Sequence, residues 1–155
     1  AERALEWMLY RINDKRKVAF GKQLKDHGVI LDWLAKSRME IDAARLVVLN
    51  AAIKIDDFGA KKAVTEVAEA KVLVPKMALK VVDRVIQSFG AAGVSQDTPL
   101  ANMWAQIRTL RFADGPDEAH LSQLGRNENK KGADATLRIT KQERKTQDLM
   151  TQYNL

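Results

Sequence analysis

The sequence predicts an all-α protein: an up-and-down four-helix bundle with long central helices and a short final helix. Two stretches of about thirty residues each carry apolar residues at three- and four-residue spacing. No strand pattern of useful length and no internal repeat interrupts them. The helix-breaking residues Gly and Pro cluster between the periodic stretches, with Pro75 the main exception.

A first helix is expected from Ala1 to Lys15, with Leu5, Met8, Leu9 and Ile12 on one side. Its periodicity is under way at residue 1 with no N-cap residue ahead, so the chain reads as a fragment of a larger protein. The loop KVAFGKQLKDHG follows. A second helix runs from Val29 to Asp57, with Ile30, Leu34, Ile41, Ala44, Val48, Ala52 and Ile55 in register, and Gly59 suits a left-handed stop. A third runs from Ala60 to Phe89. Ala63, Val67, Ala70, Val74, Met77, Val81 and Val85 form one stripe, and Leu79, Val82 and Ile86 a second. A half that is apolar on most sides belongs between neighbours. Pro75 should kink it. After the loop QSFGAAGVSQDTPL, Pro99 opens a fourth helix from Leu100 to Phe112, and a fifth spans Pro116 to Asn127. The bundle domain is thus residues 1–128. Residues 129–155 read as a polar tail ending in a short helix at QDLMTQYNL.

The composition narrows the chemistry. A chain of 155 residues defaults to one domain with a real core. It has no cysteine, which excludes disulfides and thiol catalysis, and its two histidines make a zinc site unexpected, so no metal is assigned. No apolar run is long enough to span a membrane, and no signal peptide shows. The net charge of +6 invites a nucleic-acid reading, but 26 basic residues are interleaved with 20 acidic ones. Such mixing describes a solvated helix surface, so no nucleic acid is expected as a partner.

Four segments, KVAFGKQLKDHGVI, QSFGAAGVSQDTPL, ANMWAQIRTLRF and ADGPDEAHL, stand in an order and spacing that resemble the C-terminal helical domain of the flavin-dependent acyl-CoA dehydrogenases. That family carries an R-x-x-F-G segment after its first helix here, a Q-x-x-G-G-x-G loop after the third, and a carboxylate-Gly turn before the last. The ADGPDE version is most similar to the subgroup that includes human family members ten and eleven. The resemblance covers residues 1–128. It implies FAD as cofactor, an acyl-CoA substrate, an electron-transfer acceptor and a homo-oligomer, dimer or tetramer. It leaves mitochondrial, peroxisomal and cytoplasmic placement open, although the final YNL is not a peroxisomal SKL signal.

The resemblance also assigns residues. Gln87, Ser88, Phe89, Gly90 and Ala91 fall where the family's loop meets the adenine end of an FAD bound mainly by a neighbouring subunit. Small residues there let backbone approach a ligand, although a plain helix C-cap at Gly90 or Gly93 explains the same glycines. The family's diphosphate-side Arg falls on Lys17, with Arg16 beside it; Lys offers a point charge without the bidentate fork. Phe20 packs near the dinucleotide or anchors the core. His27 and Gly28 fall on a further FAD-contacting pair, and Gly28 can contribute only backbone.

Asp114 takes the place of the catalytic base, which is Glu in most of the family. Removing the α-proton of a thioester needs a positioned carboxylate. Free Asp, with a pKa of about 3.9, is too weak a base unless burial raises it. The alternative is a turn or capping residue before Gly115-Pro116. Gly115 then lies against the thioester, and Pro116, Asp117 and Glu118 take flavin-contacting positions. Arg108 and Arg111 read as ion-pair residues, and Trp33 and Trp104 as packing residues. The rival function is a non-enzymatic basic helical module that binds nucleic acid or protein.

Overall fold

The computed structural model describes residues 1–154; Leu155, the last residue of the expected QDLMTQYNL helix, lies outside the described residues. The chain runs α1 (Glu2–Asn13), a hairpin of β1 (Val18–Ala19) and β2 (Lys22–Gln23), a 3-10 turn (Leu24–Asp26), α2 (Gly28–Phe58), α3 (Val64–Phe89), the one-turn α4 (Ala91–Val94), α5 (Leu100–Thr109), α6 (Asp117–Asn129) and α7 (Gly132–Gln152).

The core explains the order. Ala4, Leu5, Met8 and Ile12 of α1, Ile30 and Ile41 of α2, Val81, Val82, Val85 and Phe89 of α3, and Leu100 of α5 form one buried cluster. The helix α3 is central and touches α1, α2, α5 and α6. Its second half is buried between them, as its double stripe requires. Pro75 is buried inside α3, and the helix runs on through it. Ion pairs tie α2 to its neighbours: Arg84 of α3 grips Glu40 with two bonds of 2.6 and 2.9 Å, and Glu2 of α1 is held by Arg38 and Arg45.

Several expectations need correcting. The expected polar tail forms a 21-residue helix, α7, rather than a short helix at its end. Its side chains are almost all exposed, so no buried face marked it in the sequence. A hairpin of two-residue strands stands where only a loop was expected; strands this short carry no periodicity. Leu9, Val48, Ala52, Ile55 and Val67, expected in the core, are exposed, and Trp104 is 39% exposed rather than packed. The core sits at one end of the α2–α3 pair, and both helices run past it.

Candidate functional site

Asp114 lies at the apex of the α5–α6 connection. Its backbone is left-handed at φ 55°, and Gly115 follows at φ 99°. Three residues to either side, Arg111 and Asp117 meet twice. The Asp117 amide donates to the Arg111 carbonyl at 3.0 Å, and Arg111 Nε donates to Asp117 Oδ2 at 2.7 Å. Two lysines of α3 fasten this pinched loop. Lys71 donates to the Leu110 carbonyl, and Lys76 Nζ lies 3.5 Å from Asp117 Oδ2. On the far side His120 Nε2 donates to the Asp114 carbonyl at 3.3 Å. The Asp114 side chain projects into solvent.

Asp117 is only 1% exposed, and its Oδ1 has no protein partner. Burial pushes its carboxyl pKa up; Arg111 and Lys76 outweigh that and leave it below the ordinary Asp value. Asp117 is also the first residue of α6, where the helix dipole favours an anion. The side chain expected at a cofactor contact is therefore engaged inside the protein, while Pro116 and Glu118 beside it are exposed.

The Gly90 loop forms a second cluster. Gly90 ends α3 at φ 64°, ψ −140°, a conformation open in practice only to glycine, and its amide donates to the Ile86 carbonyl at 3.0 Å. Gln87, Gly90 and Ala91 are exposed. Ser88 and Phe89 turn inward. The Ser88 hydroxyl donates to the Val85 carbonyl at 2.7 Å, and Phe89 packs against Trp7 beneath the Arg11 guanidinium. Arg11 also donates to the Ser88 and Phe89 carbonyls, at 3.4 and 3.2 Å. Gly93 serves close packing instead of a left-handed turn: a Cβ there would lie 2.6 Å from the Ile86 carbonyl oxygen.

The hairpin stands just beyond the C-terminus of α1. Phe20 and Gly21 form its two-residue turn, both with positive φ, 51° and 75°, which matches a type I′ turn. Phe20 is 98% exposed and so is no core anchor. Arg16 is forked onto the Asp14 carboxylate with two bonds of 2.9 Å, and this holds the Asp14 pKa at about 2. Lys17 is half-buried, and its ammonium makes no ion pair among the described residues. His27 Nε2 donates to the Ala19 carbonyl at 2.9 Å and ties the hairpin to the start of α2, where Gly28 is exposed.

The structure therefore sorts the candidate residues into two groups. The hairpin and the Gly90 loop flank the C-terminal end of α1. The Asp114 loop is fastened to α3 at Lys71 and Lys76, the nearer of them thirteen residues before Phe89. At 1.5 Å per residue the two groups lie ~20 Å apart along α3. Arg11, Lys71, Lys76 and His120 were missed in the sequence. Arg11 reaches residues 77 and 78 positions away, a partnership that no local pattern records. Among the described residues no group of three metal-ligating side chains occurs, and no helix is long and apolar enough to cross a membrane.

Fold and loops together define a helical-bundle domain that presents two polar turns on its outer surface. Residues 1–128 match the family described as "Acyl-CoA dehydrogenase, C-terminal domain". Acyl-CoA dehydrogenase family member 11 of Gallus gallus is 53% identical over 126 residues, which cover 81% of this chain and 16% of that protein. Among solved structures, a Mycobacterium abscessus protein assigned to the acyl-CoA dehydrogenases superposes with a TM-score of 0.80 at 43% identity, covering 84% of this chain and 31% of its own. Butyryl-CoA dehydrogenase from Megasphaera elsdenii gives a TM-score of 0.72 at 31% identity, covering 80% and 31%. The chain belongs to the acyl-CoA dehydrogenase family, as its C-terminal helical domain. It spans about one sixth of the length of the chicken relative. Family membership favours the dehydrogenase reading over the basic binding module.

Proposed function

We propose that this domain supplies the catalytic base, part of the FAD site and the oligomer contacts of an enzyme that α,β-dehydrogenates an acyl-CoA thioester. The observation that carries the reading is the conformation of Asp114. A non-glycine residue that bears a carboxylate is held left-handed at an exposed apex, next to a glycine that itself takes a positive φ. Residues kept in such conformations cost about 1–3 kcal/mol each and cluster at functional sites. Here three side chains hold the turn: Lys71 of α3, Arg111 of the connection itself and His120 of α6.

In this role the Asp114 carboxylate takes the α-proton of the thioester. Gly115 presents bare backbone beside the thioester; its φ of 99° favours glycine, and a Cβ there would crowd His120 Nε2 at 3.2 Å. Solvent around Asp114 must be displaced for the carboxylate to become a strong enough base. The acyl-CoA and the parts of the enzyme that cover it do this. Bound FAD would supply the acceptor for the hydride equivalent lost from the β-carbon, and an electron-transfer partner would reoxidise it.

The residues present fit the edges of FAD. Open space surrounds the position of a Gly90 Cβ, so a ligand can meet the backbone there. Gln87 and Ala91 flank that opening, with Ser88 and Phe89 as its inward-facing support. Lys17 supplies positive charge beside the hairpin, with Arg16 next to it already paired to Asp14; Phe20 supplies an exposed aromatic face, His27 and Gly28 the brace behind it, and Pro116 and Glu118 the rim near Asp114. Asp117 acts from beneath that rim. The ~20 Å between the two groups fits a domain that serves two separate stretches of cofactor, one of them bound mainly by a neighbouring subunit. The isolated domain accordingly holds FAD weakly or not at all and does not turn over.

The test is Asp114→Asn in the intact protein. Asn keeps the size and turn propensity of Asp but is no base. FAD content should persist, and flavin bleaching by acyl-CoA should fall by ~10²–10⁴-fold. Near-normal bleaching would show that Asp114 is only a turn residue.

A further inference from the structure

We infer that Arg111 and Asp117 are the positioning pair of the base loop, an inference that rests on the reading of Asp114 as the base. Asp114 sits midway between them. Backbone and side chain both close the ring: amide to carbonyl at 3.0 Å, guanidinium to carboxylate at 2.7 Å. A loop closed only by backbone can pivot about that bond. The second link, made by the side chains of the same two residues, removes the pivot. Lys76, 3.5 Å from the same carboxylate oxygen, ties the ring to the central helix, and Lys71 holds its entrance at Leu110. The apex residue thus inherits its position from α3, the most contacted helix of the fold. Placement errors of about 1 Å at a reacting group can cost on the order of a hundredfold in rate. A buried carboxylate with one oxygen unpartnered is a poor device for stability alone, because hydrophobic residues often replace buried ion pairs without loss. Its place here is explained by what it fixes.

The experiment uses the full-length enzyme and the most active member of a butyryl- to palmitoyl-CoA series. Asp117→Ala and the milder Arg111→Lys are compared with wild type and with Asp114→Asn. Four quantities are read: FAD content, KM against kcat, the isotope effect on flavin reduction with α-deuterated substrate, and exchange of the Ala113 and Asp117 amides. These amides bond to the Thr109 and Arg111 carbonyls at 2.9 and 3.0 Å. For Asp117→Ala we expect retained FAD, KM within about twofold, kcat lowered about tenfold or more, a larger isotope effect because proton abstraction has become slower, and faster exchange of the two amides. Arg111→Lys should show the same pattern more weakly. Unchanged kcat, or exchange that rises equally in α3 and α5, overturns the assignment. The first outcome means the loop needs no clamp; the second means the pair only stabilises the fold. If Asp114→Asn is fully active the base reading itself fails, and local amide exchange in Asp117→Ala still reports whether the pair holds the loop.

Discussion

At Asp117 two opposing effects meet on one carboxylate. Burial disfavours its charge, while Arg111 and Lys76 favour it more strongly, so its folded pKa is depressed. A depressed carboxylate contributes stability that is present above its unfolded pKa of about 3.9 and is lost as pH falls through the folded value. Arg111→Gln removes the stronger partner. We expect a loss of about 1.5–3 kcal/mol at neutral pH, the range for hydrogen bonds to charged groups. The loss should shrink as pH approaches ~4 and the orphaned carboxyl protonates. Urea melts at neutral and acid pH check this; a loss that does not change with pH would mean that charge at Asp117 is not what Arg111 stabilises. Asp114 and Gly115 were legible in the sequence because carboxylate-Gly-Pro before a helix is a local pattern. That Asp117 is buried was not legible, because Lys76 reaches it from forty-one positions away.

At the scale of elements, long helices with buried stripes were readable and helices without them were not. The boundaries of α2 and of the C-terminal end of α3 follow from stripes that end at Gly59 and Gly90, both with positive φ. The helix α7 follows no such rule. Leu137, Ile139, Leu149 and Met150 are all exposed, and Thr136, Thr146 and Thr151 bond back to their own helix. Its helicity is local, so it adds little to the fold's stability. A chain ending at residue 130 should lose helical circular dichroism in proportion to its length, yet unfold within about 1 kcal/mol of the full chain. A much larger loss would place α7 in the core's cooperative unit. The hairpin escaped notice for a related reason. Its information lies in the positive φ of Phe20 and Gly21, and only the glycine is visible in a sequence.

For the whole molecule, the offset of the core toward one end of α2 and α3 has a direct consequence. Leu46, Leu49, Ile53 and Phe58 of α2 and Val64, Val67 and Leu73 of α3 are exposed on the overhanging half. Exposed apolar side chains gathered on one half of the molecule are what contact between copies would cover. We therefore expect at least a dimer by light scattering at micromolar concentration, and a monomer mass would remove the basis for shared sites between subunits. The family and the two polar turns could be read from four motifs in order. The separation of those turns along α3 could not, since it depends on which residues of α3 the loops grip. The central claim is that Asp114 removes the α-proton, and proton exchange tests it without requiring hydride transfer. Acyl-CoA is incubated in deuterated water with the intact protein and with its Asp114→Asn variant, and deuterium at the α-carbon is followed by mass spectrometry. Wild type should wash deuterium into the α-position and the variant should not, a difference of ~10²-fold or more; equal exchange in both would contradict the assignment of the base.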